Sequence, residues 1–173
     1  MGQHFLKDQP VLNKIIRSIS PGKADLIIEI GAGRGALTFP LADKAGKVIA
    51  IEKDASLIRF LQKKSRPNLT ILEEDILKVN FYELIRKEQN FMGHVKLVGN
   101  LPYSLSSPLL FKILREKEFL PECIFLFQKF FKSTQYNIVP DAPSFSDPHT
   151  GTHFPSNTFQ TGLNPIQFFD CPC

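Results

Sequence analysis

Leu26-Ile27-Ile28-Glu29-Ile30-Gly31-Ala32-Gly33-Arg34-Gly35-Ala36 is the stretch that decides the fold. The β-rich run over 26–30 stops at a glycine, as a short strand buried on both faces does. Glycines at alternate positions then let the backbone turn sharply and pass close to a ligand, because no side chain stands in the way. A helix through Leu37 and Leu41 follows. Amide groups at such a helix start attract negative or polar ligand groups.

The same alternation extends on both sides. Upstream, Val11, Leu12, Ile15, Ile16 and Ile19 fall at helical spacing, with Asp8 as a cap and Pro21-Gly22 as the stop. Downstream, short apolar strands are predicted over 47–51, 69–72, 95–98 and 124–127. Helices are predicted from Asp54, over about 80–90, and from Ser106-Ser107-Pro108 through Leu114. Strands alternating with helices imply right-handed crossovers around a parallel sheet, an α/β fold.

After Lys129 this pattern stops. Residues 1–129 hold 20 basic and 14 acidic residues, a net +6, whereas 130–173 hold one and three. Six of the 13 prolines and seven of the 16 phenylalanines lie in those last 44 residues, so the two parts do not read as one domain. The reading is a partial catalytic domain over 1–129 and an irregular or disordered tail over 130–173. Over the whole chain, 43% hydrophobic residues suffice for a packed core. No stretch approaches the ~18 uninterrupted apolar residues of a membrane span. The start Met1-Gly2-Gln3-His4 is not a signal peptide, and three cysteines do not make a disulfide scaffold. These exclusions point to a cytoplasmic protein.

The glycine turn admits two ligands. Gly31, Gly33 and Ala36 fit the relaxed dinucleotide spacing, while Gly31, Gly33 and Gly35 give the G-x-G-x-G spacing of S-adenosylmethionine enzymes. Two acids strengthen the case for a nucleoside. Glu52 follows the second strand, where an acid can accept hydrogen bonds from a ribose diol, and Asp75 follows the third, placed for an adenine amine. Both fall at the carboxyl ends of parallel strands, where open α/β sheets bind ligands. Hydride carrier and methyl donor both remain open on these residues.

Gly99-Asn100-Leu101-Pro102-Tyr103 bears on the chemistry. Its Asn-Leu-Pro-Tyr run matches a signature of methyltransferases that act on exocyclic amines of nucleobases. An adenine amine is a poor nucleophile because its lone pair is delocalised into the ring. The Asn100 oxygen and a carbonyl near Leu101 or Pro102 can bind both amine hydrogens and aim the lone pair at a methyl group. Pro102 stiffens the turn and lacks a competing N–H. Tyr103 offers a face on which an extruded base stacks, worth ~1–3 kcal/mol.

With these motifs in order, residues 2–129 closely resemble the ribosomal RNA small-subunit adenine dimethyltransferases. The resemblance is carried by Gly2-Gln3-His4-Phe5-Leu6, Glu29 to Thr38, Ile51-Glu52-Lys53-Asp54, Glu74-Asp75, Asn100 to Pro108 and Phe127-Gln128-Lys129. It covers about three-quarters of the chain. It implies a Rossmann-like S-adenosylmethionine-dependent methyltransferase fold. It also implies cofactor contacts at His4, Leu6, Gly31, Gly33, Glu52, Asp75 and Asn100, and no metal. The implied reaction transfers two methyl groups to each of two adjacent adenines near the 3′ end of small-subunit rRNA, with rRNA or the immature small subunit as partner. The related macrolide-resistance enzymes, which modify large-subunit rRNA, usually carry isoleucine at the position of Leu101, so the chain leans towards the small subunit.

The resemblance ends at Phe130-Phe131-Lys132, where the family continues with glutamate, a helix and two more strands. The abrupt change predicts a frameshifted or aberrantly joined reading frame, with a lineage-specific tail as the alternative. A sheet incomplete after its fifth strand would leave Ile124, Phe125, Leu126 and Phe127 as an unpaired edge prone to aggregation in an otherwise monomeric protein. Weak or absent activity with retained cofactor geometry is the expected result. The competing functions are a non-catalytic RNA-binding or ribosome-assembly factor and an NAD-dependent oxidoreductase. His149 and His153 have metal-ligand spacing in a context that disfavours a helix, and Cys171-Pro172-Cys173 lacks partners. Cys123 reads as a core thiol, and Lys63, Lys64 and Arg66 as a solvated helix end, with RNA contact as the lesser reading.

Overall fold

The computed structural model describes residues 9–88, 94–116, 122–128, 157–161 and 164–171. Helix α1 (Gln9–Ile19) buries Leu12, Ile15, Ile16 and Ile19, the stripe expected from the sequence. Strand β1 (Leu26–Ile30) is buried at every position. The order continues as α2 (Thr38–Lys44), β2 (Lys47–Glu52), α3 (Ala55–Gln62), β3 (Leu69–Glu73), α4 (Phe81–Arg86), β4 (Val95–Leu101), α5 (Tyr103–Arg115) and β5 (Glu122–Gln128). Two further strands follow, β6 (Asn157–Thr161) and β7 (Asn164–Cys171).

The sheet order is β3-β2-β1-β4-β5-β7-β6, with β1 to β5 all parallel. The chain therefore winds outward one way from β1 to β3 and the other way from β4 to β5. The reversal falls between β1 and β4, and open α/β sheets bind ligands in the crevice above such a switch point. One face of the sheet packs on α1, α2 and Leu61 of α3, the other on Phe81 of α4 and Leu109 and Ile113 of α5.

Three features differ from the sequence reading. First, α5 begins at Tyr103 instead of Ser106, with Pro102 as its N-cap at φ −66° and ψ 147°. Proline holds that φ covalently, so the chain leaves β4 and enters the helix without an intervening loop. Pro108 consequently lies inside the helix, forgoing one bond to the carbonyl of residue 104. Second, the tail is not irregular throughout: β6 and β7 form an antiparallel pair, and β7 runs parallel along β5. Third, β5 is therefore not an open edge; Cys123 to Gln128 pair with Ile166 to Cys171. Residues such as Phe159, Ile166, Phe168 and Phe169 favour strands, and an unpaired edge is a template for one. The Asp8 cap, His149, His153 and Pro172-Cys173 lie outside the described residues. Cys123 is a buried core thiol, pushed up to about 12 by burial and by neighbouring Glu122.

Lys96 of β4 fastens α1 to the sheet. Its ammonium lies 3.0 Å from Asp25 Oδ2 and donates to the carbonyls of Ile19 and Ser20, both at 3.0 Å. These use all three of its donors, and both side chains are largely buried, at 12% and 7% exposure. Removing one partner strands the other charge. Lys96→Ala is expected to lower the unfolding free energy by about 3 kcal/mol in urea titration; a loss no greater than that of an exposed lysine would show that the pair does not fasten α1.

Candidate functional site

The site lies at the carboxyl ends of β1 to β4. Gly31, Gly33 and Gly35 have φ of 70°, 58° and 79°, a left-handed conformation that side chains resist. Crowding is not the reason the first two positions are bare: a Cβ on Gly31 would meet nothing within 4 Å, and one on Gly33 only the Gly31 carbonyl at 3.9 Å. The glycines are thus set by backbone conformation and leave open room above the turn. The turn is tied to β2, since the Gly31 and Ala32 amides donate to the Ile51 carbonyl at 2.9 and 3.3 Å.

Glu52, at the end of β2, is 9% exposed and reaches back to the same turn. Its Oε2 accepts from the Gly33 amide at 2.9 Å, and its Oε1 accepts from Lys53 and Asp54 at 2.9 and 3.0 Å. A carboxylate has about four acceptor positions, so three are already filled. Beyond β3, Asp75 is half-buried and accepts from the Leu77 amide through Oδ1 at 3.0 Å. The Glu74 amide donates to the Glu52 carbonyl at 3.1 Å, lacing the ends of β2 and β3 together.

Asn100 and Leu101 are the last residues of β4. Gly99 is in register with Ile30, so Asn100 stands beside the start of the glycine turn. A Cβ on Gly99 would meet the Ile30 carbonyl at 3.1 Å and its Cβ at 3.2 Å, which explains the glycine before the motif. Leu101 is buried at 2% exposure, Asn100 half-buried and Pro102 exposed. The Pro102 carbonyl accepts from the Leu105 amide at 2.9 Å. The fold thus brings Gly31, Gly33, Glu52, Asp75 and Asn100 to one edge of the sheet. His4, Leu6 and the Tyr103 side chain lie outside the described residues.

A family model described as Ribosomal RNA adenine dimethylase matches residues 1–139. The chain belongs to the ribosomal RNA adenine dimethylase family. The ribosomal RNA small subunit methyltransferase A of Leptothrix cholodnii is 40% identical over 128 residues, which are 74% of this chain and 46% of that protein. Among solved structures, a dimethyladenosine transferase from Plasmodium falciparum is 32% identical with a TM-score of 0.59, covering 73% of this chain and 44% of the other. The 23S rRNA methyltransferase ErmE is 26% identical with a TM-score of 0.53, covering 64% and 43%. The chain spans about half the length of the curated relatives it matches. Membership in this family favours the methyl-donor reading of the glycine spacing over the dinucleotide one.

Two polar residues of this family member went unread as site residues. Glu29 is 2% exposed within β1, and its Oε2 has no hydrogen-bond partner; nor has Oγ1 of Thr38. The available signal was one acid inside an otherwise aliphatic buried strand. Burial chiefly raises its pKa, from 4.5 to about 8; the nearby Thr38 hydroxyl lowers it and the Glu52 charge raises it further. The Thr38 hydroxyl moderates the shift without closing a hydrogen bond of ordinary length. Between pH 4.5 and 8 the unfolded chain gives up this proton while the folded chain keeps it. Folding stability from this group is therefore full below about pH 4.5 and falls as pH rises to about 8. Glu29→Gln should flatten that decline, gaining on the order of 4 kcal/mol at pH 9 and little at pH 4. Parallel stability profiles for the two proteins between these values would count against the buried acid.

Proposed function

We propose that this chain carries the catalytic part of an S-adenosylmethionine-dependent enzyme that methylates the exocyclic amines of adjacent adenines in small-subunit rRNA. The observation that carries the reading is the register of Gly99 with Ile30, which sets Asn100 beside the open glycine turn at the switch point. Residues 1–129 are assigned to this segment. The cofactor's fit is supported by the room above Gly31 and Gly33 and by acids at the ends of β2 and β3. In this reading Gly31 and Gly33 admit the cofactor closely, Glu52 takes its ribose, Asp75 its adenine amine, and His4 and Leu6 complete the pocket. When bound, it supplies a methyl group on a positively charged sulfur.

The chain's own work is positioning. The Asn100 side-chain oxygen accepts one hydrogen of the target amine. The Pro102 carbonyl keeps one lone pair after accepting from Leu105 and can take the other, with Leu101 buried to hold the turn rigid. Both amine hydrogens then fix the nitrogen with its lone pair towards the methyl group, and Tyr103 stacks on the base. Such alignment replaces a strong base, because the methylated amine is acidic and releases its proton to solvent at the exposed Pro102 side. The small subunit is supported by the names of the curated relatives and by Leu101. The expected partner is the immature small subunit in the cytoplasm, met by a monomer whose β5 edge is already paired.

Calorimetry with S-adenosylmethionine and with NAD tests the cofactor, and preferential binding of NAD would sink the proposal. Asn100→Ala is expected to lower methyl transfer to immature small subunits on the order of 100-fold, with S-adenosylmethionine affinity changed only a few-fold. Equal transfer by both proteins removes Asn100 from the mechanism, while cofactor and RNA binding without transfer by either favours an assembly factor.

A further inference from the structure

We infer that the outer face presented by α2 and α3 is a second RNA-docking strip, separate from the base-holding residues after β4. This rests on the rRNA reading above. The strip starts at the glycine turn, where the Phe39 ring packs so closely on Gly35 that an added Cβ would lie 2.3 Å from it. Arg66 lies over that ring, its Cζ 5.5 Å from the centroid. Lys64 lies 5.9 Å from the same centroid and 5.2 Å from that of Phe60, which is 38% exposed. Where α2 ends, Arg66 Nε bonds Asp43 Oδ1 at 3.2 Å and Lys23 donates to the Asp43 carbonyl at 3.1 Å. Lys44 and Lys63 stand exposed at the ends of the two helices.

Charge decides the kind of occupant. Five cations, Lys23, Lys44, Lys63, Lys64 and Arg66, fall in the turn before β1 and around the C-terminal ends of α2 and α3, and of these Arg66 is paired with the Asp43 carboxylate. Among the described residues, no carboxylate lies within ion-pair distance of Lys23, Lys44, Lys63 or Lys64. The C-terminal ends of two helices favour some positive charge, but that does not call for aromatic rings beneath it, Phe60 exposed and Phe39 partly buried. Cations interleaved with aromatic faces suit a polyanion whose bases also stack, which is single-stranded or looped RNA. Through Phe39 against Gly35 the strip reaches the glycine turn, and from there it runs along α2 and α3 towards the amino ends of β2 and β3, so RNA held there would extend away from the site along the outer face. This revises the solvated-helix-end reading of Lys63, Lys64 and Arg66.

The test measures binding of a hairpin RNA with two adjacent unpaired adenines, by fluorescence anisotropy across a salt series, using the full chain. Lys64→Glu with Arg66→Glu should weaken binding at least tenfold and reduce the salt slope by about 1–2, with S-adenosylmethionine binding unchanged by calorimetry. Lys64→Arg should retain both. Lys44→Glu with Lys63→Glu, at side chains without internal bonds among the described residues, should act in the same direction if the first variant fails to fold. Unaltered affinity and slope in the folded reversals would overturn the docking strip. Cofactor binding by the unaltered chain without any RNA binding would also overturn it while leaving the cofactor reading in place; absence of both would overturn the proposed function as well.

Discussion

The carboxylate of Glu52 holds the carboxyl edge of the sheet together. Three backbone amides converge on it, from Gly33 in the turn after β1 and from Lys53 and Asp54 at its own strand end. Backbone donors cannot swing away as side chains do, so the acid is fixed before any ligand arrives. The Gly33 amide reaches it only because the turn runs through three left-handed residues. With three acceptor positions filled, a ribose diol would find one free and would have to share or displace the Gly33 bond. In the proposed reading, ribose binding and the conformation of the glycine turn would be coupled through one oxygen, Oε2.

Glu29 shows how differently the next strand treats the same functional group. It lies one strand away, deep in β1, with Oε2 unpaired and its proton retained to about pH 8. An ionised Glu29 would face the Glu52 charge across a poorly solvated interior, which is among the causes that hold its pKa up. Keeping this acid neutral lets two carboxyl groups sit near one glycine turn without repelling each other. A buried acid with its pKa raised in this way is common at working sites.

Much of this was legible because aliphatic runs over 26–30 and 47–51 can only be buried strands at that length, and glycines and acids at their ends mark a ligand edge. The α5 start was misplaced because Ser106-Ser107-Pro108 imitates a helix opening, while the actual cap, Pro102, was absorbed into the catalytic motif. Glu29 was passed over because pattern reading scores a lone acid as a flaw in a strand; its burial on all sides emerges only from packing. Strands β6 and β7 escaped because pairing with β5 is long-range, and turn formers such as Pro165 mask the alternation. Propensity cannot see a partner strand some 40 residues away.

That pairing changes the meaning of the phenylalanine-rich tail. An open β5 would expose its backbone along seven residues; with β7 in place the edge moves to β6, which has five and reads Asn-Thr-Phe-Gln-Thr. A short, mostly polar edge is a poor template for another chain. The register also carries support inward: Phe169 pairs with Leu126, and Leu126 pairs with Asn100. Asn100 therefore sits in a strand flanked on both sides, by β1 through the glycine turn and by β5 braced on β7. In the proposed mechanism, a side chain that fixes the target amine would benefit from backbone held on each side. The tail thus supports the carboxyl edge of the sheet through hydrogen-bonded register, although its composition belongs to a different pattern.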